Sequence, residues 1–151
     1  MKNLSIILLL MFFSLASFAQ IKDRMEEFER YKSNRVSYMT EKLQLTPEEA
    51  QKFWPIYNEY DQSRISFHQK KKELESKVRD NYNKLSDAEL TKLNSEQISL
   101  IVKEAELAKS YNEKFLKVLP VKKVILISPT ESEFRFKVIR EYRQREKENK
   151  K

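Results

Sequence analysis

Not one glycine occurs in the 151 residues of this chain. A chain without glycine has no low-cost residue for left-handed backbone, so two-residue hairpins and most all-β architectures are excluded on local grounds. The same absence removes the usual material for a nucleophile elbow, a phosphate loop or an oxyanion nest. What remains, 35% charged and 40% hydrophobic residues with 4 prolines, is the composition of long amphipathic helices with enough apolar content for a core. Each such helix buries one stripe, so a thin core with wide polar faces is expected. The reading is an all-α fold: a long antiparallel helical hairpin with flanking helices, four to five in all.

The chain opens with Met1-Lys2-Asn3, an apolar run from Leu4 to Phe18, and Ser17-Phe18-Ala19 ahead of Gln20. A short basic start, an apolar run below the ~20 residues of a span and small residues at −3 and −1 form the pattern of an export signal cleaved after Ala19. Residues 1–19 are therefore read as a signal peptide, and 20–151 as one helical domain with no transmembrane span after cleavage. Removing 1–19 takes away Lys2 and no acid, so 29 basic and 23 acidic residues remain and the mature charge is +6. Behind an export signal that charge points to acidic proteins or an anionic membrane surface, not to nucleic acid. With no cysteine, disulfides, thiolate metal sites and cysteine nucleophiles are ruled out.

Apolar periodicity divides the mature chain. A first helix is expected over 21–44, with Met25, Phe28, Val36, Met39 and Leu43 as its stripe. Leu45-Thr46-Pro47-Glu48-Glu49 then reads as a helix start: Thr46 caps, Pro47 fits the first position, and Glu49 completes a capping box. The second helix runs to about Asn83 on Phe53, Tyr57, Tyr60, Phe67, Leu74, Val78 and Tyr82, roughly 55 Å long, with Pro55 bending it. Ser86 and Glu89 form a second capping box, opening a third helix to Leu119 with the stripe Leu90, Leu93, Gln97, Ile101, Ala105, Ala108 and Phe115. The tight link forces these two helices into an antiparallel hairpin. Pro120 ends the third helix, 121–127 reads as a buried short helix, and Ser128-Pro129-Thr130-Glu131 reads as a third capping box. The last helix carries Phe134, Val138, Ile139 and Tyr142.

Catalytic constellations are missing from this inventory. His68 is the only histidine, beside Lys70, Lys71 and Lys72, with no serine–base–orienter arrangement legible around it. No catalytic residue, cofactor or metal site is expected, and Met25 and Met39 read as packing residues. The aromatic run Phe53-Trp54-Pro55-Ile56-Tyr57 and Tyr60 wraps more than one helix face. It reads either as the thick end of the core or, through Trp54 and Ile56, as a contact surface for a partner. Lys70–Lys72 and the arginines at 140, 143 and 145 read as solvated faces or as steering charge for acidic clients.

The string Leu45-Thr46-Pro47-Glu48-Glu49-Ala50-Gln51 behind an export signal resembles the Spy/CpxP-like periplasmic proteins, whose helices begin with LTxxQ motifs. With Lys52-Phe53-Trp54-Pro55-Ile56-Tyr57 it looks like a Bacteroidetes-type branch often labelled periplasmic heavy-metal sensors or sensors of an ECF-type sigma factor. Leu119-Pro120 followed by Lys122-Lys123-Val124 resembles the branch's second motif region. Glu49 stands where the motif has glutamine, Gln51 comes two places late, and at the second region Pro120 replaces threonine and Lys123 replaces glutamine. The resemblance implies a homodimer forming a thin, curved helical cradle that binds unfolded or envelope proteins without ATP in the envelope stress response. A second implied role is binding the periplasmic domain of a sensor or anti-sigma protein and modulating its pathway. A metal-sensing role, also implied, meets a chain with one histidine and no cysteine.

Overall fold

Two helix starts organise the structure, and both are built by a hydroxyl and a glutamate three residues apart. The structure, a computed structural model, describes residues 22, 23 and 25–148; the signal-peptide assignment and the start of the first helix lie outside that range. Helix α1 covers 25–42, followed by α2 Pro47–Asn81, α3 Asp87–Leu116, α4 Val121–Val124 and α5 Ile127–Glu148, with a 3-10 turn at Tyr82–Lys84 after α2. All regular structure among the described residues is helical. No helix among them is long and apolar enough to cross a membrane.

At the start of α2 the Glu49 amide donates to Thr46 Oγ1 (3.2 Å) and the Thr46 amide donates to Glu49 Oε2 (2.9 Å). The start of α3 repeats the device: the Ser86 amide donates to Glu89 Oε2 at 2.8 Å and the Glu89 amide to Ser86 Oγ at 3.4 Å. Each box satisfies two amides that the first helical turn leaves without partners. The expected third box does not form. α5 begins at Ile127, so Ser128 and Pro129 lie inside its first turn and Glu131 is buried. The chain leaves α4 with a nearly helical backbone, and a proline within the first turn removes an amide that had no helical acceptor.

The chain forms two compact units, one from residues 44–127 and one from 1–43 with 128–151. In the first, α2 and α3 pack antiparallel. Phe53 stacks on Phe115 with ring centres 5.4 Å apart, Tyr60 on Tyr111 at 5.1 Å and on Phe115 at 5.9 Å. Phe53, Tyr57, Tyr111, Phe115, Leu119, Val124 and Ile127 are buried. Towards the 84–86 turn the seam thins: only Leu93 is fully buried there, with Leu74, Val78 and Leu90 half-buried and Tyr82 exposed. α2 continues unbroken through Pro55, which lies on its exposed side.

The α3 seam differs from the expected stripe. A series of four-residue steps, 97, 101, 105, gains about 40° per step on a 100° helix and rotates off the partner face. The buried line instead takes a three-residue step, Gln97 to Leu100, and continues through Leu107, Tyr111 and Phe115; Ile101 and Ala105 are exposed. The segment 121–127 is likewise only half inside: Val124 and Ile127 are buried, while Val121, Ile125 and Leu126 are exposed.

In the other unit α5 runs back along α1. Phe134 is inserted between Tyr31 and Tyr38, at ring-centre distances of 5.3 and 5.6 Å. Tyr38 Oη donates to Glu133 (3.1 Å), which also pairs with Lys42 at 3.6 Å. Met39, Leu43 and Phe134 are buried, but Met25, Phe28 and Val36 are exposed, as are Ile139 and Tyr142 on α5. The expected α1 stripe therefore holds only in its last turn, and Tyr31 and Tyr38 replace its first half.

Removing the ring at the centre of the aromatic layer, Phe115→Ala, is expected to cost about 3–5 kcal/mol in chemical denaturation. Hydrogen exchange is expected to be fastest at the thin end, around 74–100, and slowest around 53–60 and 111–119; uniform protection along the hairpin would contradict this gradient.

Candidate functional site

The two motif regions of the sequence meet at one ammonium group. Lys123 Nζ donates to the Gln44 carbonyl and to Glu49 Oε2, each at 2.6 Å. The Glu49 carboxylate thus serves the Thr46 amide and the Lys123 ammonium together, with side chains only 19% and 23% exposed respectively. Its pKa is held below the ordinary carboxylate value, first by the hydrogen bond from Lys123 and then by that from the Thr46 backbone. Glu89, capping α3 without such a lysine, is lowered by its Ser86 backbone and side-chain hydrogen bonds.

Lys123 is in place because of Pro120. That residue precedes α4 in extended backbone (φ −59°, ψ 144°), and its carbonyl accepts the amides of Lys123 and Val124 at 2.8 and 3.1 Å. Leu119 beside it is buried, anchoring the turn. At the other side Gln44 has φ 49°, the one positive value among the described residues. A glycine-free chain makes this turn with a side-chain-bearing residue and binds its carbonyl with a cation. Leu45 and Glu49 are half-buried, Pro47 occupies the first turn of α2, and Gln51 is exposed, outside the cluster. The two departures from the glutamines of the motif, Glu49 and Lys123, are therefore partners. Lys123 stood out in the sequence only as a replacement for a motif glutamine, and its pairing with Glu49 was not legible, because a lysine 74 positions from its glutamate carries no local signal.

The expected contact residues distribute differently. Trp54 is half-buried, with its ring edge-on to Phe53 at 5.1 Å and to Tyr57 at 5.3 Å; Ile56 is also half-buried. Trp54 belongs largely to the aromatic layer. Lys70, Lys71 and Lys72 point about 100° apart along α2, so they do not form one patch. Lys70 instead joins Lys77 and, from α3, Lys103 around a groove of about 410 Å³ whose apolar lining is Leu74 and Leu100. Glu73 and Glu96 lie on the same rim. Arg140, Arg143 and Arg145 are all exposed on α5 in the other unit. Arg140 and Arg143 share a side, and Arg145 points elsewhere.

The most open apolar surface was missed. Ile98, Ile101 and Val102 are 54%, 48% and 50% exposed. With the exposed Ala105 they follow i, i+3, i+4, i+7 spacing, a second stripe on α3 beside the one facing α2. Leu116 lies on the same side beyond Lys109 and Asn112, and Val121, Ile125 and Leu126 are exposed further along the chain. The spacing was legible, but a single-stripe reading assigned Ile101 and Ala105 to the wrong face. His68 is exposed on α2. No group of three or more His, Cys, Asp or Glu side chains among the described residues is placed to hold a metal ion.

Three substitutions test the junction. Thr46→Ala is expected to cost about 1 kcal/mol through the lost cap, and Gln44→Gly to gain about 0.5–1 kcal/mol by relieving the positive φ. Because the folded Glu49 pKa is depressed, its contribution is complete above the unfolded carboxylate value, about 4.3. It is lost as pH falls below that value through the lower folded pKa. Glu49→Gln should flatten this part of the acid-denaturation curve, and an unchanged curve would exclude the ion pair as its source.

No family model matches this chain, and comparison with curated proteins and with solved structures finds no match.

Proposed function

We propose that this chain is an exported, helical protein-binding module that acts as an ATP-independent chaperone of the cell envelope. The observation that carries the reading is the run of exposed aliphatic side chains on the α2–α3 unit: Ile98, Ile101, Val102 and Leu116, then Val121 and Ile125. Scattered exposed aliphatics are ordinary, but a cluster at helical spacing such as Ile98, Ile101 and Val102 marks a contact surface. Such a stripe, with no pocket enclosing it, suits chain segments that are themselves apolar and unfolded. Lysines 70, 77 and 103 around the neighbouring groove supply attraction for acidic segments at long range, and the aliphatics supply adhesion once contact is made.

The reading includes residues 20–151 as the mature form, cleaved after Ala19 and working as a homodimer. It rests also on the resemblance of Leu45–Gln51 to the LTxxQ-motif proteins. Neutralising Lys70, Lys77 and Lys103 should leave the fold intact, since these lysines are exposed and lie outside the buried aromatic layer.

Light scattering of several unfolding proteins, with mature protein added and no ATP, tests the proposal. Suppression of aggregation near stoichiometric amounts is expected, weakening several-fold in Ile98→Ser/Val102→Ser. The lysine-neutralised variant should lose mainly the salt sensitivity of capture. Equal suppression by wild type and the Ile98/Val102 variant would remove the stripe as the client surface. No suppression of any client would replace the general chaperone with a binder of one dedicated envelope partner.

A further inference from the structure

We infer that the side of α5 turned away from α1 is a docking surface for an anionic lipid bilayer. Phe136, Ile139, Arg140, Arg143 and Lys147 recur at three- and four-residue spacing and so share one side of the helix, with Tyr142 at its edge. The opposite side carries Phe134, Val138 and Glu141, the residues directed toward α1. Phe136 is 66% exposed, Ile139 46% and Tyr142 60%.

Charge selects the occupant. Arg140, Arg143 and Lys147 are exposed and, among the described residues, none is engaged in an ion pair. Two carboxylates of the same helix have other partners: Glu146 accepts from Tyr142 Oη at 3.2 Å, and Glu141 pairs with Lys137 at 4.0 Å. Cations and apolar side chains thus alternate along a convex helix side, not around a concave pocket. That pattern matches the boundary of a bilayer, where phosphates and acyl chains are offered at nearly one depth. Guanidinium groups bind phosphate through two parallel hydrogen bonds, and their stems lie along apolar surface with the charge kept at the headgroups. Phenylalanine and tyrosine favour the same level. An acidic protein partner would satisfy the arginines but would need its own groove for Phe136 and Ile139. The surface lies on α5 and is separate from the aliphatic stripe of α3, so either assignment can fail alone.

Because the chain has no cysteine, Phe136→Cys carries a single polarity-sensitive dye, and Glu75→Cys on the exposed side of α2 serves as the control. Full-length protein is mixed with phosphatidylglycerol/phosphatidylcholine vesicles, with phosphatidylcholine vesicles, and with soluble polyglutamate. The expected result is a blue shift at position 136 with the anionic vesicles only, and none at position 75. Co-flotation is read as the anionic-to-neutral ratio, so that any binding by the apolar run 4–18 common to both vesicle types cancels. R140Q/R143Q is expected to lower that ratio about thirty-fold, the effect of two basic side chains at an anionic surface, with helicity unchanged by circular dichroism. No shift at 136, equal shifts at 136 and 75, a ratio unchanged in R140Q/R143Q, or a shift with polyglutamate alone would each overturn the inference; the last would assign the face to an acidic polypeptide.

Discussion

The Lys123 ammonium determines how the α2–α3 unit begins and ends. It holds the Gln44 carbonyl at one end of that unit and the Glu49 carboxylate one helical turn into α2, from a position four residues before the other end. Without it, a left-handed glutamine would stand unsupported in a chain that has no glycine to put there, and the carboxylate capping α2 would lose its counter-charge. The ion pair is partly shielded from water, where a hydrogen-bonded pair in good geometry is screened less than one on an open helix surface. The paired helices, and through them the exposed aliphatic stripe, depend on α2 starting at Thr46 and on α4 returning to meet it.

The aromatic layer next to this junction concentrates the packing at one end of the hairpin. Phe53, Tyr57, Tyr60, Tyr111 and Phe115 interlock there, while the far end has leucine and valine, half-buried, with lysines around a groove. A hairpin anchored at one end and lightly packed at the other can adjust its open end to different contact partners without losing its register. In the other unit the packing is lighter still, one phenylalanine between two tyrosines, and several apolar side chains stay on the surface. Surplus apolar surface is the feature that both units share.

Much of this was legible before any coordinates. The two S/T-x-x-E boxes, the antiparallel hairpin and the core roles of Phe53, Tyr57, Leu93 and Phe115 follow from local rules acting within a few residues. The misses share a cause in tertiary context. Ile101 and Ala105 have the right spacing for a seam, and only the position of α2 decides that the seam runs through Leu100 and Leu107 instead. Ser128 has the residues of a cap and is overridden because α4 delivers the chain already helical. Tyr111 was passed over for Ala108 though it is buried, and the pairing of Lys123 with Glu49 became visible only once the distant glutamate was placed beside it. Trp54 and Ile56 were read as either core or contact; the half-burial of Trp54 against Phe53 and Tyr57 favours the core for that residue.

The most direct test of the central claim is site-specific photo-crosslinking. A photoreactive side chain is placed at Ile101 on the exposed stripe, and in a second variant at Glu75, an exposed position of α2 outside the stripe, and each is irradiated with an unfolding client. The account predicts client adducts at position 101, lost in excess unlabelled mature protein, and few at 75. Equal crosslinking at the two positions, or adducts at 75 alone, would contradict the assignment of the α3 stripe as the surface by which this protein holds its partners.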